Sequence, residues 1–186
     1  MPAAPHWAPR GKGWWLQPRQ SHYTFWMRQD PARLQALRHC LILESSAEQA
    51  YDDLAHLLAT GLDVPLVMVS LLDAERDWFK SAVGTLMTES PAATSFCEMF
   101  FHTRLDLIVV EDTLQDVRFA DHPLVLGPPH VRFYAAARLA LNGHTLGTLC
   151  AYDLRPRQMS ADQLALVRSL AEAAVALLHQ RWPGRS

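Results

Sequence analysis

Two hydrophobic periods alternate along the chain, and the first part of the sequence has the period of helices. Apolar residues recur three and four positions apart over residues 31–44, a segment that begins with a proline and directly follows Asp30. This pattern predicts an amphipathic helix with an aspartate cap. Ser46 and Gln49 have the spacing of a capping box and predict a second helix, which Gly61 is expected to end.

The middle of the chain has the alternating or continuous apolar character of strands. Asn142-Gly143 is the preferred pair for a two-residue turn, so the segments beside it predict a β-hairpin. The polar residues 73–77 predict a second hairpin. The predicted strands are residues 64–72, 78–83, 105–110, 131–141 and 145–152.

Three further helices are predicted between and after these strands. One short helix is expected around residues 95–101, and another follows a cap at Asp116. Ser160 and Gln163 have capping-box spacing and begin a final helix over residues 160–181. Because hairpins require antiparallel pairing, this order predicts an α+β domain with helices packed on its sheet.

Length and composition are those of one folded domain. The 186 residues divide into an arm, residues 1–29, and a single domain, residues 30–186. A net charge of −2 provides no positive field for nucleic acid or an anionic membrane surface. The sequence has no apolar run of the roughly 20 residues that span a bilayer and no secretory signal, so we expect a cytoplasmic protein.

Residues 1–29 differ in composition from the rest of the chain. They hold four of the six tryptophans, four basic residues and no acidic residue, without a sustained period. We expect an irregular arm that either docks through its tryptophans or stays mobile. The tryptophans are Trp7, Trp14, Trp15 and Trp26, and the basic residues are Arg10, Lys12, Arg19 and Arg28.

The cysteines and histidines do not indicate a metal centre. Cys40, Cys97 and Cys150 lie far apart and are odd in number, which favours reduced thiols over a disulfide framework or a zinc site. His122 and His130 share one loop but lack the spacing of zinc ligands. We therefore predict no metal.

Several co-linear segments make the chain resemble a GAF domain from about residue 34 to residue 180. The resemblance is in particular to the bacterial subgroup found in front of sensor kinases and diguanylate cyclases. The segments are residues 67–73 (VMVSLLD), 78–80 (WFK) with Gly84, 95–97 (SFC), 112–113 (DT) with Asp116, 118–119 (RF), 123–125 (PLV), 132–135 (RFYA), 143–150 (GHTLGTLC) and the helix after Ser160.

This resemblance implies a six-stranded antiparallel sheet with the terminal helices on one face and a pocket under short helices and loops on the other. It implies a sensory or regulatory domain that binds a small molecule, with Phe79, Phe96 and Leu124 as apolar pocket walls and Ser95 beside them. It does not imply one ligand. Because no output domain fits in the length of the chain, the expectation is a domain that stands alone.

Several residues depart from the family pattern and argue against some of the activities known in the family. Glu98 and Met99 stand where the subgroup usually has a small residue and then His, which argues against a haem or metal role there. Arg138 stands where a proline is usual. The signature of cyclic-nucleotide-binding members, the loop cysteines of free methionine sulfoxide reductases and the wider phytochrome signature are not visible.

Cys97 and the strand around Tyr134 carry the candidate chemistry. A cysteine in the first turn of a helix can be a reactive thiolate, and packing as a small hydrophobe is the alternative. Strand alternation places Arg132, Tyr134 and Arg138 on one face, which could bind a carboxylate or phosphate in a pocket. If that face is exposed, the arginines pair with surface charges such as Glu111.

Three hypotheses for function follow. The first is a ligand-binding sensory domain, the second a thiol-based redox sensor or reductase centred on Cys97, and the third a ligand-free interaction scaffold. The last helix has a broader apolar face than one sheet contact needs, which predicts a homodimer through residues 31–44 and 160–181. Coverage of that face by the N-terminal helix of the same chain is the alternative.

Overall fold

A computed structural model describes residues 28–182 of the chain. The α-helices are α1 (Pro31–His39), α2 (Gln49–Leu62), α3 (Pro123–Leu126) and α4 (Ala161–Gln180). The strands are β1 (Leu66–Leu72), β2 (Arg76–Val83), β3 (Glu89–Pro91), β4 (Leu107–Val110), β5 (Phe133–Leu141) and β6 (His144–Asp153). Two 3-10 helices, Ala92–Thr94 and Phe96–Phe101, lie between β3 and β4.

The strands form one six-stranded sheet in the order β3-β2-β1-β6-β5-β4. Every neighbouring pair is antiparallel, which confirms the predicted fold class. Asn142 and Gly143 form the turn between β5 and β6 with φ angles of 52° and 80°, the left-handed backbone that this pair adopts easily. The sequence did not predict β3, whose three residues include a proline and lie at the edge of the sheet.

The two faces of the sheet carry different layers. Helices α1, α2 and α4 cover one face, and their buried leucines and alanines share a core with alternate residues of β1, β5 and β6. A second core on the opposite face lies under the 3-10 helix Phe96–Phe101 and helix α3. Both faces of the central strands are therefore buried, as the continuous apolar run at residues 64–72 predicted.

Two predicted helix caps are confirmed. The Asp30 carboxylate accepts a hydrogen bond of 2.7 Å from the backbone N–H of Arg33 at the start of α1. Ser160 and Gln163 form a complete capping box at the start of α4. Helix α1 ends at His39, shorter than the predicted residues 31–44, because Leu41 turns into left-handed backbone with φ 47°.

The predicted capping box at Ser46 is wrong. Helix α2 begins at Gln49 after Glu48, and the Ser46 carbonyl accepts a hydrogen bond from Lys80 Nζ. Gly61 is the second-last residue of α2, and the left-handed C-cap is Asp63, so the helix ends within two residues of the predicted glycine. A Cβ at Gly61 would lie 2.1 Å from Leu166 Cδ2 of α4. The glycine allows the two helices to pack closely.

The short helices on the other face also differ from prediction. Residues 117–121 form turns, and the Asp116 carboxylate accepts hydrogen bonds from Arg118 instead of capping a helix. The helix in this region is α3, which begins at Pro123. No helix in residues 28–182 combines the length and the apolarity needed to cross a membrane.

Candidate functional site

Five aromatic side chains gather on the sheet face opposite the long helices. The ring of Phe96 lies 5.1 Å from Phe119, 4.1 Å from His122, 5.2 Å from Tyr134 and 5.5 Å from Tyr152 between ring centroids. Each of the five residues is more than nine-tenths buried. We call these five residues the aromatic cluster.

Three separate parts of the chain supply this cluster. Tyr134 of β5 and Tyr152 of β6 lie directly opposite each other in the sheet, and their rings are 5.2 Å apart. Phe96 begins the second 3-10 helix, and the segment before α3 contributes Phe119 and His122. The strand alternation that placed Tyr134 on a different face from Phe133 is confirmed, because the two residues belong to different cores.

Cys97 lies against the polar side of the cluster. Its Sγ is 3.0 Å from Thr148 Oγ1 and accepts a hydrogen bond of 3.5 Å from the Tyr134 hydroxyl. A hydrogen bond with the Cys150 thiol, together with burial, raises the pKa of Cys97 well above its usual value of 9.0. The thiol is therefore protonated at neutral pH, in contrast to the thiolate considered from its helical position.

His122 occupies the first position before α3 and faces the ring of Phe96. Its Nδ1 accepts a hydrogen bond of 3.1 Å from the backbone N–H of Leu124, which leaves the proton on Nε2. Burial lowers the pKa of His122 from 6.5 to about 4. The imidazole is thus neutral in the folded protein at physiological pH.

This neutral histidine predicts a loss of stability in acid. Between pH 6.5 and 4 the unfolded chain protonates His122 while the folded chain does not, so falling pH favours unfolding. We expect the free energy of unfolding to fall by about 2 kcal/mol from this group between pH 7.5 and pH 5. Urea denaturation at several pH values measures it.

The matched variants are His122→Asn, which retains an acceptor for the α3 cap, and His179→Asn on the exposed face of α4. His122→Asn is expected to remove this part of the pH dependence, and His179→Asn to retain it. An unchanged slope in His122→Asn would show that the acid sensitivity comes from another group.

The guanidinium groups of Arg132 and Arg138 are bound by the protein itself. Arg132 forms a two-contact ion pair with Asp112, at 3.0 and 2.8 Å. Arg138 donates to the carbonyl groups of Phe100 and Thr103 at 3.0 and 2.8 Å. Asp106 lies 3.3 Å from Arg138 Nε. The partner carboxylates are thus Asp112 and Asp106 rather than Glu111.

The other sequence-predicted residues lie around the cluster. Phe79 and Leu124 are partly buried and pack against the same core. Ser95 is buried, but its hydroxyl donates to the Asp77 carboxylate instead of capping the 3-10 helix. The structure therefore brings Phe96, Cys97 and Tyr134 into contact, with Phe79 and Leu124 at the border of the same core.

Five residues of this site were absent from the sequence prediction. The turn at Asn142-Gly143 could have identified three of them, because it sets the hairpin register that places Thr148, Cys150 and Tyr152 on the Tyr134 face. Phe119 and His122 come from irregular backbone, which has no such period. In residues 28–182, no group of three or more His, Cys, Asp or Glu side chains is arranged to hold a metal ion.

A buried ionic network adjoins the 3-10 helix that carries Cys97. The guanidinium of Arg28 donates to the carboxylates of Asp77 and Glu98 and to the Asp73 carbonyl. Burial raises the pKa of Asp77 while Arg28 opposes that rise. We call Arg28, Asp77, Ser95 and Glu98 the Arg28 network; it joins the start of α1 to the residues beside the aromatic cluster.

Residues 46–178 match the family model described as GAF domain. The chain belongs to the GAF domain family. The matched range covers the sheet, the aromatic cluster and most of α4, so the resemblance inferred from the separate motifs is confirmed. A similar curated protein is a cyclic di-GMP phosphodiesterase of Pseudomonas aeruginosa, 32% identical over 140 residues. That alignment covers 74% of this chain and 24% of the relative, so the chain spans about a quarter of its length.

Two solved GAF domains and one solved enzyme have a similar fold. The GAF domain of an Acinetobacter phosphoenolpyruvate-protein phosphotransferase superposes with a TM-score of 0.60 at 16% identity, over 84% of this chain and 98% of that one. The PixJ GAF domain of Thermosynechococcus elongatus gives 0.58 at 15%, over 79% and 89%. A free methionine-R-sulfoxide reductase of Neisseria meningitidis gives 0.57 at 15%, over 80% and 89%.

Proposed function

We propose that this GAF domain is a sensory or regulatory domain that binds a small uncharged molecule at the aromatic cluster. The observation that carries the proposal is a buried site in which ionisable side chains are held neutral. Similarity to a cyclic di-GMP phosphodiesterase supports a place in signalling. The activity in that name is a property of the relative.

Burial and hydrogen bonding keep four ionisable groups of the site uncharged at neutral pH. Burial raises the pKa of Tyr134 and Tyr152 well above their usual value, and it lowers the pKa of His122. The pKa of Cys97 is raised as well. A charged ligand would lose its hydration here without gaining a counter-ion, since Arg132 and Arg138 already bind protein oxygens. The site therefore favours a neutral ligand over the carboxylate or phosphate considered from the sequence.

The aromatic cluster lies between regular strands and a less regular cover. Strands β5 and β6 form one side of the site, and the second 3-10 helix and residues 111–131 cover it. We call residues 111–131 the covering segment. Val117 in this covering segment is 93% exposed. A flat ligand could replace some of the ring contacts of Phe96 when the covering segment shifts away from the sheet.

A change at this cover can reach the beginning of the domain through the Arg28 network. Phe96 and Cys97 lie between Ser95 and Glu98 in the chain, and both of these flanking residues belong to the network. A ligand that binds the shifted cover more tightly than the packed one would thus bias the position of Arg28.

Small aromatic probes of different charge test the ligand class. We expect phenol and indole at millimolar concentration to raise the Tm of the full chain, and benzoate and benzylammonium to leave it unchanged, because only ligands that bind the folded state stabilise it. Saturation-transfer NMR on the same samples separates binding from solvent effects. An equal response to benzoate and phenol would contradict the neutral-ligand proposal.

Neighbouring alanines of β5 provide matched variants for this test. Ala136 lies in the core with the aromatic cluster, and Ala137 lies in the core under the long helices. Ala136→Val adds volume beneath the cluster and is expected to reduce the phenol signal, whereas Ala137→Val adds the same volume on the other face and retains it. Equal signals in both variants would place the probe elsewhere.

A redox sensor is a second candidate, favoured by the thiol pair that only the fold brings together. Cys97 and Cys150 are free thiols buried in the same core, so Cys150 is the candidate resolving cysteine. With hydrogen peroxide as oxidant, the two thiols lose two hydrogens, one S–S bond forms and the peroxide becomes two waters. Peptide mapping after peroxide treatment should find a Cys97–Cys150 disulfide that is absent from Cys150→Ser; oxidation confined to Cys40 contradicts it.

The homodimer through residues 31–44 and 160–181 is also a proposal. The two segments adjoin each other, since Arg181 Nη1 donates to the Leu41 carbonyl at 2.9 Å, and the Leu41 side chain is exposed. Much of the broad face of α4 already packs inside this chain, with Leu166 against α2. Sedimentation velocity decides it: a monomer at micromolar concentration contradicts the dimer.

The cytoplasmic location stays a prediction.

A further inference from the structure

A groove of about 550 Å³ runs along the outer edge of β2, apart from the aromatic cluster. It lies between residues 44–47 and the loop of residues 85–89. Strand β3 pairs with only Arg76, Asp77 and Trp78, so in the described part of the chain no strand pairs with the outer edge of the last four residues of β2. We call this feature the β2 groove.

The β2 groove has apolar and acidic walls. Leu86 and Met87 lie exposed on one side, and Phe79 contributes a partly buried ring. Glu44 and Glu89 line the groove with side chains 67% and 49% exposed. Large exposed apolar side chains beside carboxylates fit a segment that carries both aromatic and basic residues.

The positive charges nearby do not neutralise the groove. Lys80 lines it, but its side chain is 0% exposed and its ammonium binds Glu48 and Ser45. Arg76 bridges Glu44 and Glu89 and leaves much of each carboxylate open to solvent. Asp52 adds a third carboxylate to the lining. A cation approaching from solvent therefore meets negative charge.

The chain enters the described domain beside this groove. Arg28 Nη2 donates to the backbone carbonyl of Arg76 at 3.0 Å, and the Arg76 side chain contacts Glu44 and Glu89. Gln29 Nε2 donates to Glu75 at 2.9 Å. The residue that follows residues 1–27 is thus bound to the same arginine that bridges the two groove carboxylates.

Residues 1–27 have the composition that this groove fits. They contain four tryptophans, three basic residues and no acidic residue. Fully extended, they reach about 90 Å, whereas the eight residues of β2 span about 26 Å. We propose that residues 1–27 dock in the β2 groove of their own chain, with basic side chains toward Glu44 and Glu89 and tryptophan rings on the Leu86–Met87 wall.

The lysines of the chain allow a direct test. Only Lys12 and Lys80 are lysines, and the Lys80 side chain is enclosed. A carbodiimide activates a carboxylate, a lysine Nζ in contact with it displaces the activating group as a urea, and an amide bond forms. We expect the full chain to give an amide between Lys12 and Glu44 or Glu89, found by peptide mass spectrometry in the monomer fraction. The α-amino group of Met1 is distinguished by its peptide.

Variants and isotope labelling show whether the groove binds residues 1–27 of the same chain or a second copy of the chain. Glu44→Gln with Glu89→Gln should abolish the groove cross-link, while Glu172→Gln on the exposed face of α4 should leave it unchanged. Arg10→Glu with Arg19→Glu should lower its yield about fivefold, the effect of two exposed ion pairs. In a mixture of ¹⁴N and ¹⁵N protein, mixed cross-links would assign the groove to a second copy and overturn the proposal. Lys12 amides to carboxylates outside the groove, or no Lys12 amide, would overturn it as well.

Discussion

Phe96→Ala is expected to lower the free energy of unfolding by about 3–5 kcal/mol, since the substitution empties the centre of the aromatic cluster. The Phe96 ring is buried and contacts four aromatic side chains, from β5, β6 and the covering segment. Its removal leaves a cavity between the sheet and the residues that cover it. Urea or guanidinium denaturation followed by circular dichroism measures the change.

Matched substitutions separate packing from a general effect of mutation. Phe96→Leu keeps most of the volume and is expected to cost about 1 kcal/mol. Val117→Ala removes an exposed apolar side chain from the covering segment and should change stability by less than about 0.5 kcal/mol. A Phe96→Ala loss as small as that of Val117→Ala would mean that the cluster contributes little to folding and that its cover moves freely.

Asp77→Ala is expected to cost about 3 kcal/mol because it leaves the Arg28 guanidinium buried with one fewer counter-ion. Arg28 is 4% exposed, and Glu98 remains bound to it at 2.8 Å, so we place the loss at the lower end of the range for a broken buried pair. Ser95 also loses the acceptor of its hydroxyl hydrogen bond. Chemical denaturation at neutral pH measures the change.

The same variant tests whether the network connects α1 with the aromatic cluster. Amide hydrogen exchange should rise in the second 3-10 helix as well as at the start of α1 in Asp77→Ala. Glu75→Ala removes an exposed carboxylate that accepts a hydrogen bond from Gln29. This control should leave the amides of both segments protected from exchange. If exchange rises at α1 alone, the network anchors the chain but does not couple it to the site.

The elements with a local cause could be predicted from the sequence. The Asn142-Gly143 turn, the Asp30 cap and the Ser160 capping box depend on residues within a few positions of each other. The Asp116 cap failed locally, since its carboxylate accepts hydrogen bonds from Arg118, whereas the Ser46 capping box had a competing partner far along the chain. Lys80 binds the Ser46 carbonyl, so local spacing was a poor guide there.

The candidate site could be predicted only in part for the same reason. Phe96, Cys97 and Tyr134, which the sequence offered for three separate reasons, lie together in the structure. The environment that controls their chemistry comes above all from Thr148 and Cys150, which the hairpin register places on the Tyr134 face and which only tertiary packing brings near Cys97. Helix position alone suggested a lowered pKa for Cys97, and the neighbouring Cys150 thiol together with full burial reverses that direction.

The sequence by itself determined the fold class, the hairpins, most of the strands and the family, because hydrophobic period, turn residues and motif spacing are properties of short segments. Only the tertiary structure decided which charges are satisfied and which groups are neutral. The binding of Arg132 and Arg138 by protein oxygens, the contact of Cys97 with Thr148 and the burial of Arg28 each join residues distant in the chain. Desolvation and ion pairing depend on three-dimensional surroundings, and those surroundings exist only after the sheet and its two layers have assembled.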